Sequence, residues 1–326
     1  MSIASKLRRV FKPRSARGWL LLSIFGVLAA LSALVARAVH DVGRQAEDSQ
    51  CQSRLFYLGF ALRLYQDCYT SLPPPFISDD LGKPLYSWRV LMLPFCEGHG
   101  LYDEFDFTKP WNDPDNIGKS QGRFERQLKS LFSCPLSRHT DAMQTDYFYA
   151  LNVQDRWPRD FFHDSKTPPY VLLLESQAHS VHWSEPVDVV YLEPGLNGLL
   201  AKINESKATH RRGFHCYASD GAVVTIAPGS TPEHLLQNLK TSARMPRAQK
   251  APGKGEMAKF VAKLMDILSD RERYGAFYTR HTALLLLGEL GPQAKAATAM
   301  IRQVVAEEQD ERLTRVAAFA LAKIER

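Results

Sequence analysis

The sequence predicts an α+β chain with a long N-terminal helix, a middle of short strands and an all-helical end. Three observations carry this reading. Residues 18–36 form an uncharged apolar run whose only hydroxyls are Ser23 and Ser32. From Leu131 onward, short aromatic and β-branched runs alternate with Pro, Asp, Asn and Gly, the signature of strands and turns. Residues 257–326 repeat apolar side chains at three- and four-residue steps, the period of a helix face.

The apolar run comes first in order. At about 1.5 Å rise per residue it reaches nearly 30 Å, the thickness of a bilayer's hydrocarbon core. A helix satisfies its own backbone hydrogen bonds, so this segment can sit in lipid. Lys6, Arg8, Arg9, Lys12, Arg14 and Arg17 precede it, with no acidic residue among them. That asymmetry predicts a basic cytoplasmic segment over residues 1–17, a transmembrane helix in the bilayer over 18–37, and an extracytoplasmic body. A cleaved signal peptide is the alternative, with Ala36-Arg37-Ala38 as small residues at a cleavage spacing. Signal h-regions run only about 7–15 residues, so length favours a retained anchor.

Those six basic residues account for the whole net charge of +6, and the rest of the chain is balanced. A nucleic-acid binder would carry a basic face on its body, so nucleic acid is excluded as a partner. The five cysteines are Cys51, Cys68, Cys96, Cys134 and Cys216, with no C-x-x-C pair. That spacing argues against a zinc ribbon or a thioredoxin-type motif. An oxidising compartment permits disulfides, and the odd count leaves at least one thiol unpaired in a monomer. Burial of all five as small apolar residues is the other reading.

Beyond the anchor the helical pattern continues. Cys51, Leu55, Leu58, Leu62 and Tyr65 share one face, and Pro73, Pro74 and Pro75 end the helix. One long helix over residues 20–69 is expected, with a break near residues 41–43. The run 84–94, centred on Trp88, fits a short helix or a buried strand. Asp113, Asp115 and Asn116 are oxygen ligands at close spacing, but Asp and Asn around Pro build turns, and no complete calcium loop is present. Residues 132–135, 146–152, 170–175 and 188–192 read as strands, and 196–203 as a helix or turn. The sharpest local signal is 213–226, where Asp220-Gly221 sits between alternating residues. It predicts a hairpin with a type I′ turn, placing Phe214, Cys216 and Ala218 on one face and His215 and Tyr217 on the other. A body over residues 41–240 is followed by a basic, Pro- and Gly-bearing linker over 241–256.

The end of the chain, 257–326, holds four apolar stripes. They are Phe260/Leu264/Ile267, Ala283/Leu286/Leu287/Leu290, Ala297/Met300/Ile301/Val304 and Ala317/Ala320/Leu321/Ile324. Leu287 and Leu290 recur as Leu321 and Ile324 at an offset of 34 residues, a spacing found in helical repeats.

Several blocks in order resemble the planctomycete secreted, pilin-like family of unknown function. His210 is followed by nine residues and then Asp220-Gly221, similar to that family's C-terminal signature. The segment 51–65 with Leu72-Pro-Pro is similar to its helix and exit. So are Ser87-Trp-Arg-Val-Leu-Met-Leu-Pro94, Leu101-Tyr, Pro110-Trp-Asn-Asp and Phe132-Ser-Cys-Pro135. The resemblance covers roughly 45–240 and implies a long N-terminal helix packed on an antiparallel sheet. One departure stands out: Gly18 is followed by Trp19-Leu-Leu-Leu-Ser23, without the glutamate of a pilin-type leader. A permanent membrane tether fits this chain better than filament assembly. Segments 283–294 and 315–324 resemble HEAT-type repeats, which expose a protein-binding surface.

No Gly-x-Ser-x-Gly, His-Glu-x-x-His or phosphate-binding Gly loop occurs. His210 or His215 with Asp220 could serve a hydrolase, yet a His–carboxylate pair needs a nucleophile or a metal, and Asp220 has a sufficient role as a turn residue. His179 and His182 lie three apart in a loop-like stretch without a third ligand nearby. The expected function is therefore a non-catalytic, membrane-anchored envelope protein. It would need no cofactor or metal and would bind a protein partner through its C-terminal helical repeats. The alternative is an envelope hydrolase with its site near His210, His215 and Asp220.

Overall fold

The computed structural model describes residues 16–120, 124–137, 141, 143–152, 171–176, 181–191, 210, 213–227, 229–231, 234 and 255–326. The chain divides into two units, Met1–Ser49 and Gln50–Arg326. Within them run mixed helices and a mostly antiparallel sheet, led by one long apolar helix, α1 (Ala16–Tyr69).

The first unit carries the apolar half of α1. Its most apolar window has a mean hydropathy of 1.7, and none of that window is buried. Length and composition suffice for one membrane crossing or a signal sequence. The helix shows no break at Asp41 to Gly43. A single glycine costs a helix only about 1 kcal/mol, and Ala, Arg, Gln and Glu around it are good formers. The helix ends at Tyr69, where Thr70 turns to a positive φ of 61° ahead of the three prolines.

The second unit is built on the rest of α1. Cys51, Leu55, Leu58, Leu62, Tyr65 and Tyr69 are all buried along one face. After α1 come β1 (Phe76–Ser78) and β2 (Pro84–Ser87), a small antiparallel pair. The apolar run around Trp88 resolves into both options that its periodicity left open: strand β2 flows into the short helix α2 (Trp88–Met92), capped by the Ser87 hydroxyl. Helices α3 (His99–Glu104), α4 (Pro114–Ser120) and α5 (Glu125–Phe132) follow. Phe132 was expected in a strand but closes α5. Leu128, Leu131 and Phe132 stand three and four apart and bury one helical face.

The main sheet has the order β5-β3-β4-β6-β7, with β3 (Tyr147–Asn152), β4 (Val171–Glu175), β5 (Val189–Tyr191), β6 (Phe214–Ala218) and β7 (Val223–Ile226). All neighbours run antiparallel except β5, which pairs parallel with β3. The central strands β4 and β6 are buried at every position. Tyr147, Tyr149, Leu173 and Tyr217 share a core with Leu55, Leu58 and Leu62 of α1, while Phe148, Leu174, Phe214, Cys216 and Ala218 form a second cluster. The faces predicted for β6 are therefore observed. A register shift between Val171 and Leu173 puts Leu172 and Leu173 in the same core.

The hairpin turn differs from the expected type I′. Gly221 N donates to Ala218 O at 2.9 Å and Ala218 N to Ala222 O at 2.8 Å. Among the described non-glycine residues only Thr70 and Glu97 have positive φ, so Asp220 does not, whereas Gly221 sits at +90°. This is a three-residue loop closed by a glycine in the left-handed region. Asp220 Oδ1 caps it by accepting from Ala222 N at 3.1 Å.

Helix α1 approaches the sheet closely at Gly59. A Cβ there would lie 2.2 Å from the buried Tyr217 ring. Gly59→Ala is thus expected to cost about 1–3 kcal/mol despite alanine's better helix propensity. Urea unfolding measures it, and an unchanged or raised midpoint would show that the ring moves freely aside.

The C-terminal helices are α6 (Glu256–Ser269), α7 (Phe277–Leu290), α8 (Thr298–Glu307) and α9 (Glu311–Ile324). The four expected stripes fall on them and on the 3₁₀ turn Gly291–Ala297. Residues 196–203, expected as a helix or turn, and 241–254 of the linker expected over 241–256 lie outside the described residues, while Glu256, its last residue, opens α6. Helix α7 is buried on all sides, with Leu284, Leu285, Leu286 and Leu287 all enclosed. It shares the α1 core: Tyr69 Oη donates to Thr279 O at 3.3 Å, and Tyr102 Oη lies 2.9 Å from His281 Nδ1 and 2.7 Å from Thr282 Oγ1. Ser78 N donates to Glu289 Oε1 at 2.9 Å, and Lys323 Nζ to Ser78 O at 2.7 Å.

Candidate functional site

Four chemistry-bearing side chains of the second unit, Cys51, Cys134, Glu175 and His210, converge where α1 and α5 meet the sheet. Cys51, on the inner face of α1, is disulfide-bonded to Cys134, two residues past the end of α5. Glu175 ends β4, and His210 lies just upstream of β6, where it bridges to Gly213. His210 Nε2 sits 3.0 Å from both carboxylate oxygens of Glu175 and 3.5 Å from Cys134 Sγ. The side chains of His210 and Glu175 are 1% and 0% exposed, so the pair is closed to solvent.

Around this centre the polar groups are held by backbone. Asp146 Oδ2 accepts from Cys134 N at 2.7 Å, and its Oδ1 from Ser137 Oγ at 3.2 Å. Asp146 N donates to Phe132 O, and Ser176 N to Asp146 O, tying α5 to β3 and β4. Arg54, almost one helical turn after Cys51, donates to the Ser133 carbonyl. Burial pushes the Asp146 carboxyl up to about 7, with the charge of Glu175 adding to the rise. The carboxyl therefore binds a proton in the fold that the unfolded chain has already lost. Its contribution to stability is greatest below about pH 4 and declines as pH rises to about 7. Asp146→Asn removes this titration. The stability of wild type relative to the variant is expected to fall by roughly 2–3 kcal/mol between pH 4 and 7. Chemical unfolding at a series of pH values would reveal it, and parallel profiles for the two proteins would refute it.

The structure brings together two of the three residues proposed from sequence for a hydrolytic site. The rings of His210 and His215 lie 4.2 Å apart, and His215 Nδ1 is 2.9 Å from Thr225 Oγ1 on β7. Asp220 is not with them. It sits in the hairpin turn, five residues beyond His215, roughly 16 Å along an extended strand. The carboxylate that His210 meets is Glu175, which the sequence presented only as the last residue of an apolar strand. No local spacing signals that pairing, because 35 residues separate the two. The free thiols are Cys68, Cys96 and Cys216. Burial raises all three above the ordinary thiol range, Cys96 to about 12, so none is a thiolate nucleophile at neutral pH.

The other residues singled out in the sequence have structural places. Asp113 Oδ1 accepts from Asp115 N at 3.0 Å at the start of α4, and Asn116 Nδ2 donates to the carbonyls of Asp106 and Pro110 at 3.1 Å. These are turn bonds. His182 stacks on Trp111 at 5.2 Å, its Nδ1 is 2.8 Å from Ser184 Oγ, and burial lowers its pKa to about 4. Its proposed companion His179 lies outside the described residues. A cleft of about 220 Å³ is lined by Asp103, Asp106, Lys119, His281, Arg312 and Arg315. Arg315 faces Asp106 at 3.4 Å and Arg312 faces Asp103 at 3.8 Å, so ion pairs line this cleft.

No curated protein and no solved structure matches the chain. Residues 43–169 match the model of a family described as a protein of unknown function (DUF1559), a span that contains Cys51, Cys134 and Asp146 but not Glu175 or His210.

Proposed function

We propose that this is a non-catalytic, membrane-anchored envelope protein. It holds a pilin-like body outside the cytoplasm and presents a HEAT-like helical end to a protein partner. The observation that carries the reading is the unburied apolar half of α1, where Trp19, Phe25, Leu34 and Val35 are all exposed by more than half. Such a surface needs a lipid environment, and the basic residues before it set the orientation. The Cys51–Cys134 disulfide supports an oxidising compartment for the body. Closure of the His210–Glu175 pair to solvent and the protonated state of the free thiols favour this reading over an envelope hydrolase.

Topology is the decisive measurement. A phosphatase reporter fused after Ala251 should be active, and a fluorescent reporter that matures only in the cytoplasm should be dark. Carbonate-washed membranes should retain the full-length chain. The reverse reporter pattern, or release by carbonate, overturns the proposal. Partner binding is tested on α8 rather than by deletion, because α7 belongs to the common core. Charge reversal of exposed Arg302 with alanine at Gln303 should abolish crosslinking to the partner in intact membranes and lower Tm by no more than about 2–4 °C, because the Arg302–Glu325 pair it breaks is at the surface and worth at most about 1 kcal/mol. Unaltered crosslinks would remove α8 from the binding surface.

A further inference from the structure

We infer that Cys51, Cys134, Glu175 and His210 form a redox-gated site for a zinc-class divalent ion: closed as the disulfide, open to metal when it is reduced. The four residues are buried, and their ligand atoms all lie within 4.8 Å of one another. In a tetrahedral zinc site with bonds of about 2.0–2.3 Å, neighbouring donor atoms stand roughly 3.3–3.8 Å apart. His210 Nε2 is already 3.5 Å from Cys134 Sγ and 3.0 Å from the Glu175 oxygens. Reduction lets the two sulfurs separate to a non-bonded distance on side chains that otherwise keep their places.

The geometry distinguishes a metal centre from a catalytic relay. A relay through histidine uses its two ring nitrogens, one toward the carboxylate and one toward the nucleophile. Here a single nitrogen faces both the sulfur and the carboxylate. Donors gathered on one point are what a cation requires. Two thiolates and an imidazole are soft to borderline ligands, which selects zinc over magnesium or calcium. The elements carrying the donors are well separated in sequence, so an ion here would fasten α1, the end of α5, β4 and the entry to β6, as the disulfide fastens the first two.

The chemistry balances with a protein dithiol as reductant. Its two thiols give two electrons and two protons to the Cys51–Cys134 bond and become a disulfide, and the bond becomes two thiols. Zinc then displaces those two protons to solvent and binds two thiolates, one carboxylate and neutral His210. Reoxidation by a protein disulfide, which takes the two thiolate electrons and two protons from solvent and becomes a dithiol, ejects the ion and restores the Cys51–Cys134 bond.

The test uses the full-length chain in detergent. It is reduced with a phosphine that does not chelate metal, freed of reductant and titrated anaerobically with Co²⁺. One equivalent should bind with the d–d and sulfur-to-cobalt bands of a tetrahedral thiolate site, and Zn²⁺ should bleach those bands. The oxidised chain should show none. Glu175→Gln and His210→Asn should each weaken Co²⁺ binding at least tenfold. Cys51→Ala/Cys134→Ala, which keeps the other three thiols, should abolish the bands. As a readout independent of whether variants fold, Zn²⁺ should raise the Tm of reduced wild type and leave that of oxidised wild type unchanged. The inference is overturned if reduced wild type gives no thiolate bands and no Zn²⁺-dependent rise in Tm. Equal cobalt spectra from the oxidised chain or from the double cysteine variant would overturn it as well.

Discussion

Replacement of Arg89 by methionine is expected to lower the stability of the second unit by about 3–5 kcal/mol, the cost of leaving one member of a buried ion pair without its partner. Arg89 is fully buried, and its guanidinium is shared among several elements. Its Nε and Nη2 donate to Tyr147 O at 2.9 and 2.8 Å, its Nη1 to Ser87 Oγ at 2.7 Å, and its Nη2 to Asp188 Oδ1 at 3.0 Å. Asp188 also accepts from Trp88 Nε1 at 3.1 Å and Tyr149 N at 2.8 Å. The pair therefore joins α2 to β3 and to the residue just before β5. Burial pushes the Asp188 carboxyl up to about 6 against the pull of Arg89, so it is ionised at neutral pH. Without the guanidinium, the fold would favour the protonated acid still more strongly. The loss should thus be larger at pH 8 than at pH 5. Arg89→Met/Asp188→Asn should recover part of the loss, since no charge is then stranded. Equilibrium unfolding of the four proteins at both pH values gives the coupling. A single variant within 1 kcal/mol of wild type would mean that water reaches the site and solvates Asp188.

Removal of the disulfide is the second large effect. Cys51 and Cys134 are 83 residues apart, and the chain-entropy estimate for a loop of that length is about 4.5 kcal/mol. Cys51→Ala/Cys134→Ala is expected to lose 2–4.5 kcal/mol, with a fall in Tm of roughly 5–15 °C for a unit of this size. The bond pins the lower end of the packed half of α1 to the segment after α5, where Cys134 N already binds Asp146. A slow hydrogen-exchange core in β4 and β6 should survive, while amides of α5 and residues 133–137 should exchange faster. A Tm unchanged in the double variant would show that the packing of Leu55, Leu58 and Leu62 holds the helix unaided.

Much of the architecture is readable from residues alone. The uncharged run is legible from its length and uniform apolarity, the buried stripe from Cys51 to Tyr65 and the four C-terminal stripes from their period, and each element is specified by neighbours within a few turns. The hairpin is readable for the same reason, since Asp220 and Gly221 set their own loop. Its loop type was not, because Gly221 alone takes the positive φ. Phe132 shows the limit of short aromatic runs: the same residues serve a helix once Leu128 gives them a face to share.

What only the tertiary structure decided are the pairings across distance. Glu175 meets His210, Cys51 meets Cys134, and Arg89 meets Asp188, each across 35 or more residues. A sequence pattern records which face of an element is apolar, because that follows from backbone period. It does not record which polar group will stand opposite another, because that depends on strand order and on where a helix crosses the sheet. The burial of α7 on every side, so that one helix belongs both to its own helical group and to the core of α1, has the same origin. Its apolar content was visible, but the surfaces that cover it come from two separate stretches of chain.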